Sequence, residues 1–468
     1  MSIPSIPSTP TTAIINHKSR IYYRNKFLHI GHLQTIFYNN DYAGKCNGIC
    51  YAIIDDRQEP IQKEEIMQDL NYLETKHIIP ISVREYSAHV LIYTRELLRS
   101  GEAYMTTWDH NIINNWNREL DHPTGNHVIN LKSPAGTKPP TIGYFKHSYS
   151  ERASAYELVF IFDYIIKVLD HILGVTDVVC TSNQDIVDES INNYFNGRRR
   201  INYHYIEPYR IFDFKYSKRD WPNLDENDGR LLTLKGLRRR HIPQHILYSF
   251  YNHAENDKKI NIGQLSVLLK NSLNITCDRV FGIIEPLKVT ISNWTPKTTE
   301  FIRKANNPLK DGDSHMVPLT NTLYIEKNDF GKVGGYLGKI CLHNEARLRH
   351  SYVIYCHDVT LDETGEPAEL FVKYYSKDDK IRSCIHWISS EWEKEPVKVT
   401  YVMYDGFYTG SNHLGGYEIT HGYIESCVFD NLDRIYQLER IGYFHYDAEL
   451  TARSKYGNPV FVKICGIR

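Results

Sequence analysis

The hydrophobic pattern of this chain changes character part-way along, and that change constrains the fold more than any single residue does. From Arg20 to about Ser100, short apolar runs such as Tyr51-Ala52-Ile53-Ile54 alternate with helical stretches over 64–74 and 86–100. Alternation of that kind builds an open, mostly parallel sheet with helices on its faces. About 101–150 is polar, rich in Asn, Pro and Gly, and interrupts the alternation. The α/β pattern resumes at Ala153 with a helical stretch to Leu173 and a strand at 177–180, and 236–272 reads as helices. From about Val289 onward only short alternating strands and turn residues remain, as in 352–357 and 398–404. That pattern predicts β-barrels. A chain of 468 residues is also too long for one ordinary core, so two to four domains are expected.

Two short motifs carry chemistry. Phe27-Leu28-His29-Ile30-Gly31-His32 lies between the strand-like Arg20-Ile21-Tyr22-Tyr23 and a helix beginning near Leu33. Such a strand-to-helix turn leaves backbone N–H groups and a helix dipole facing outward, which favours phosphate. His29 and His32, three apart, present imidazole donors from one face, and Gly31 allows a flat base close to the backbone. Downstream, Lys215-Tyr216-Ser217-Lys218-Arg219 places a flexible ammonium, Lys218, in a polar loop after the strand-like run 210–214. Alone, the first motif is equally an ordinary turn and the second an ordinary solvated charge run. Together they offer two separate groups suited to gripping a polyphosphate. Asp55 follows the apolar strand 51–54, at a strand end where open sheets bind ligands.

Composition narrows the setting. Lys and Arg total 55 against 56 Asp and Glu, so a nucleic-acid surface must be local. Arg198-Arg199-Arg200 and Arg238-Arg239-Arg240 are the two candidates. The nine cysteines contain no Cys-x-x-Cys pair, which speaks against a zinc knuckle and suits a reducing cytosol. Met1 to Thr12 is Ser/Thr/Pro-rich, so residues 1–19 are expected to form a flexible tail with no signal peptide, and no apolar run is long enough for a transmembrane helix. Gly331 to Lys339 is rich in glycine but lacks the spacing of a phosphate-binding loop and is expected to be a barrel loop.

The motifs resemble the two nucleotide-binding signatures of class I aminoacyl-tRNA synthetases, and the likeness extends along the chain. Gly44 to Asp56, Thr233 to Arg240, Ile283 to Val289, Glu345 to Ile354, Ile385 to Trp387 and Glu439 to Phe444 are similar, in order, to segments of the glutaminyl/glutamyl-tRNA synthetase group. The resemblance implies a multi-domain protein. Its parts are a Rossmann-type α/β catalytic domain (20–235) with an acceptor-binding insert at about 101–152, a helical stem-contact subdomain (236–288), and two all-β anticodon-binding barrels (289–468). It implies ATP-dependent attachment of glutamine to tRNA, with His29, His32 and Lys218 catalytic. Asn25, His29, Ile30, Gly31, His32, Thr35, Thr181, Tyr216, Ser217 and Lys218 would bind ATP. Arg20, Asp55, Phe162 and Cys180 would bind the amino acid, and Asp185, Arg238, Arg347, Arg349 and Arg382 the tRNA. A neutral Cys180 favours an amide over a carboxylate side chain, which needs a cation to offset its desolvation. At two further positions, Phe162 lacks a hydroxyl and Ile166 an imidazole that relatives place there. The implied partners are ATP with Mg2+, L-glutamine and tRNA-Gln, in a cytoplasmic monomer without a dedicated metal site. A glutamyl enzyme or an inactive tRNA-binding paralogue are the alternatives.

Overall fold

The computed structural model describes residues 17–23, 27–58, 62–107, 112–113, 127–133, 138–150, 153–181, 189–196, 200–212, 228–295, 297–310, 312–331, 339–375, 383–404, 406–408, 417–455 and 457–467. The chain divides into two compact units, the first holding 1–212, 233–235 and 251–260, the second 213–232, 236–250 and 261–468.

The first unit opens with β1 (Lys18–Tyr23), α1 (Leu33–Lys45), β2 (Ile49–Ile54), α2 (Gln62–Tyr72), β3 (Ile78–Ser82) and α3 (Ser87–Arg99). An antiparallel insert follows: β4 (Ala103–Thr107), β5 (Ile112–Ile113), β6 (His127–Leu131), β7 (Thr141–Ser150) and β8 (Ala153–Phe160). Then come α4 (Phe162–Leu173), β9 (Asp177–Thr181), α5 (Glu189–Asn196) and β10 (Asn202–Ile206). The main sheet has the order β10-β9-β1-β2-β3, and every neighbouring pair in it is parallel. The chain therefore winds outward from β1 in both directions, which puts a crevice at the carboxyl ends of β1 and β9, where the order reverses.

The run from Ala153 expected to be helical is instead β8, paired over eight residues with β7. Its residues Tyr156, Val159 and Phe160 suit a pleated surface, and a long partner strand decides the matter against local propensity. Helix α4 starts only at Phe162 and ends at Gly174, whose φ of 72° is the left-handed cap that glycine adopts at least cost. Both its first and last turns pack into the core shared with β1, β2, β9 and the insert.

In the second unit, helices Gln244–Asp257 (whose last turns belong to the first unit) and Ile262–Thr276 precede two seven-stranded sheets. One takes strands 286–291, 322–326, 345–348, 353–361, 367–374, 384–385 and 388–389. The other takes 278–280, 282–284, 397–404, 417–424, 435–438, 442–446 and 460–466. Each curls into a near-closed barrel around its own core, one centred on Trp387, the other on Tyr401 and Phe444. No helix among the described residues is long and apolar enough to cross a membrane.

Candidate active site

The turn after β1 is held by a distant segment. His29 forms an antiparallel bridge with Thr233, and the Leu234 N–H donates to the Leu28 carbonyl at 2.9 Å. The chain then makes one 3-10 turn, Ile30–His32, that runs directly into α1. Both histidines fold back onto it. The Gly31 N–H donates to His29 Nδ1 at 3.0 Å, and the His29 N–H donates to His32 Nδ1 at 3.1 Å. A ring nitrogen that accepts carries no proton, so in each neutral ring the proton is on Nε2. Burial, then the neighbouring His32, pushes the His29 pKa well below the usual histidine range, and burial pushes His32 down to about 4. With ring centroids 4.0 Å apart, the pair supplies two neutral N–H donors at pH 7 and no charge. Positive charge for a triphosphate must come from elsewhere.

Thr35 is buried one turn into α1 and donates to the His32 carbonyl. Gln34, which sequence reasoning passed over, pins the start of this helix. Its amide donates to the Glu207 carbonyl at 2.8 Å and to Glu255 at 3.0 Å, and its oxygen accepts the Tyr209 N–H. Nothing local in sequence marks that role, because all three partners lie more than 170 residues away.

The residues expected around the amino acid separate into two groups. Asp55, Thr181, Cys180 and Phe162 sit at or next to the carboxyl ends of β2 and β9 and the start of α4. Cys180 and Thr181 are buried, and Phe162 stands edge-on to Tyr22 with centroids 5.6 Å apart. Arg20 is not with them. It lies mid-strand opposite Tyr51 and Val178, is 1% exposed, and donates from Nε to Asp170 of α4 at 2.7 Å. Lys167 completes this buried cluster 3.6 Å from Asp170. The guanidinium expected to meet the amino acid thus holds α4 to the sheet, because Asp170 offers it a desolvated partner that a solvent-facing substrate would have to outbid.

Asp55 has a partner that sequence reasoning missed. Arg57 grips its carboxylate with both arms, Nε to Oδ1 at 2.7 Å and Nη2 to Oδ2 at 2.8 Å, and donates from Nη1 to the Phe160 carbonyl at 2.7 Å. The adjacent Asp56 is buried and structural, accepting from Ser82 Oγ and from the Arg84 N–H. Arg57 also lines a cleft of about 570 Å³ whose walls include Val90 of α3, Tyr144 and Phe160 of the insert and Ile165 of α4. Asn25, Asp185, Tyr216, Ser217, Lys218 and Arg382 lie outside the described residues.

Within the second unit, Arg347 occupies the outward-facing register of strand 345–348, whose pattern alternates Ala346 and Leu348 inward. Arg349 is drawn onto Glu439, its Nε 2.5 Å from the carboxylate. Of the Arg238-Arg239-Arg240 run, Arg239 pairs with Glu449 and Asp447, Arg240 is buried, and Arg238 is half-buried. Among the described residues, two groups have ligand atoms close enough to share a metal ion: His315 with Glu425 and Cys427, and Glu326 with Asp329 and His386. Each already contains a protein cation, Lys304 at Glu425 and Arg440 at Asp329, so neither donor set suits a further positive ion.

A parallel sheet with reversed strand order, a two-histidine turn at its switch point and paired barrels downstream together describe a nucleotide-using enzyme with a separate recognition half. Residues 25–130 match the family described as tRNA synthetases class I (E and Q), catalytic domain, and 264–375 and 384–447 match its anti-codon binding domains. These stretches span more than half of the chain, which belongs to the class I tRNA synthetases of the E and Q group. It is 25% identical over 497 residues to a glutamine–tRNA ligase of Buchnera aphidicola subsp. Baizongia pistaciae, covering 90% of this chain and 89% of that one. It is 26% identical over 524 residues to a glutamine–tRNA ligase of Neisseria gonorrhoeae, covering 93% and 91%. A solved glutamate tRNA ligase from Elizabethkingia meningosepticum is 13% identical, with a TM-score of 0.40 over 56% of this chain and 70% of that one.

Proposed function

We propose that this chain activates glutamine with ATP and transfers it to tRNA-Gln, acting as a cytoplasmic monomer. The observation that carries the reading is the His29–His32 turn at the switch point of the β10-β9-β1-β2-β3 sheet, in a chain alike over most of its length to glutamine–tRNA ligases. The amino-acid carboxylate attacks the α-phosphorus of ATP, and pyrophosphate leaves with the electron pair of the broken P–O bond. The Nε2–H groups of His29 and His32 donate to phosphate oxygens as charge shifts, and Lys218 compensates the departing pyrophosphate. Mg2+ arrives with ATP. Asn25, Ile30, Gly31, Thr35, Thr181, Tyr216 and Ser217 complete the ATP site, and Asp55 holds the substrate ammonium. The terminal tRNA hydroxyl then attacks the carbonyl of the adenylate and AMP leaves. Asp185 meets the acceptor end, while Arg238, Arg347, Arg349 and Arg382 contact tRNA further away. Cys180, buried and uncharged, suits the glutamine amide.

ATP–pyrophosphate exchange with each of the twenty amino acids, with and without tRNA, tests the proposal. Exchange greatest with glutamine is expected. Greater exchange with glutamate would transfer the assignment to the glutamyl reaction, and none with any amino acid would leave a tRNA-binding paralogue.

A further inference from the structure

The Asp55 carboxylate is the one acidic group that the proposed reaction needs for the substrate ammonium, and it is already taken. Arg57 closes a fork on both of its oxygens at 2.7 and 2.8 Å from only two residues away. The same guanidinium is tethered on its other side to the carbonyl of Phe160, the last residue of the insert before α4. The side chains are 29% and 18% exposed, so the pair is screened less than a surface ion pair, yet remains reachable from the cleft that Arg57 lines.

We propose that Arg57 is a positioning residue that sets amino-acid affinity by competing with the substrate for Asp55. The proposal rests on Asp55 being the ammonium anchor. A carboxylate gripped by a bidentate guanidinium is charge-compensated and geometrically filled. An α-ammonium binds in full only when the fork opens. The measured affinity is then the intrinsic one reduced by the fraction of molecules in which it is open. The Phe160 contact keeps the displaced guanidinium beside the site, so the fork recloses when the ligand leaves. This cost falls on every ligand that brings an ammonium to Asp55 and on none that lacks one.

The test compares full-length wild-type protein with Arg57→Ala, titrating L-glutamine by calorimetry. In parallel, glutaramic acid, which is glutamine without its amino group, is titrated as the control. Arg57→Ala should tighten glutamine binding about three- to tenfold and lower the amino-acid KM in pyrophosphate exchange to match. A merely structural loss would instead lower kcat. Glutaramic acid should bind both proteins alike, and Asp55→Asn should abolish the gain from Arg57→Ala. If Arg57→Ala does not fold, Arg57→Lys keeps the charge without the fork and should give a smaller gain in the same direction. Glutamine binding that is unchanged or weakened in these variants overturns the proposal. So does an equal gain for glutaramic acid, which would mean a pocket opened in general. The outcomes separate from those of the proposed function. A wild-type protein without exchange activity whose variant still binds glutamine more tightly refutes the reaction and keeps the competition. An active wild type with no gain does the reverse.

Discussion

At the scale of single residues, the two histidines act through their protonation state as much as their position. Each gives Nδ1 to a backbone N–H, so protonating either ring there would break the turn that presents them. Spacing in the sequence shows that His29 and His32 share a face. The tautomer was not legible, because it depends on which backbone groups the turn leaves over. His32→Ala and Lys218→Ala should each cost about 2–4 kcal/mol of transition-state stabilisation, read as single-turnover adenylate formation. Wild-type rates in both variants would remove these residues from the ATP site. The lowered His32 pKa adds a stability consequence. Between its ordinary value near 6.5 and about 4 the unfolded chain binds a proton that the folded chain refuses. Stability therefore falls as pH drops through that window, by about 1.4 kcal/mol per pH unit for such a group. His32→Gln, which cannot titrate, should flatten that slope in urea unfolding measured from pH 7 to 4.5.

At the scale of elements, the basic run 238–240 shows why charge in a sequence is a poor guide to surface. Arg240 is 3% exposed and donates to the carbonyls of Ile464 and Gly406 at 2.7 and 2.8 Å, with its guanidinium 4.4 Å from the Phe407 ring centroid. It links the end of helix Leu234–Arg239 to the last strand of the second barrel. That destination lies more than 220 residues downstream, beyond any local pattern. Arg240→Ala should destabilise the chain by about 3–5 kcal/mol, since it strips hydrogen-bond donors from buried carbonyls and leaves a cavity. Arg240→Lys should recover only part of that, because one ammonium cannot reproduce the fork. Chemical denaturation of the three proteins checks both. Strand β8 carries the same lesson: its helical reading failed because pairing with β7 is a tertiary fact. Arg347 is the contrasting case, where period-2 alternation did place a side chain on the outer face of its strand. Arg347→Ala should weaken tRNA affinity and charging while leaving any tRNA-independent exchange intact. Unchanged affinity, measured by filter binding, would take this strand out of RNA recognition.

At the scale of the whole molecule, the change from strand–helix alternation to short strands alone marked that an α/β architecture gives way to barrels, although strands 278–280, 282–284 and 286–291 begin the barrel sheets ahead of Val289, within the stretch expected to be helical. Hydrophobic period reports which face is buried, and both barrels have clear inner faces. The buried charges that fasten the hairpin of strands 300–305 and 314–319 to the second barrel were invisible, since each partner is ordinary in its own segment. Lys304, 1% exposed, reaches Glu425 at 2.9 Å and Glu439 at 3.4 Å, and His315 takes the other Glu425 oxygen at 2.6 Å. Although burial opposes it, this company holds Glu425 down to about 2, so its contribution is present above pH 4.5 and lost as pH falls toward 2. A second cluster has the opposite sign. Arg440 grips Asp329 with both arms at 2.8 Å and donates to His386 Nδ1, which leaves neutral His386 to donate from Nε2 to the Gly282 carbonyl. Beside it, burial and then Asp329 push Glu326 up to about 7. A carboxyl whose folded pKa is raised stabilises below its unfolded value, near 4.5, and loses that contribution as pH rises through 7. Glu326→Gln mimics the protonated form at every pH. It should leave the second unit little changed at pH 4.5 and stabilise it by about 1–3 kcal/mol at pH 8. Because two units need not unfold together, the measurement is hydrogen exchange of the barrel strands at both pH values rather than a single melting temperature. Protection that rises at pH 8 in the variant supports the assignment, and equal protection at pH 8 in the two proteins refutes a raised Glu326 pKa.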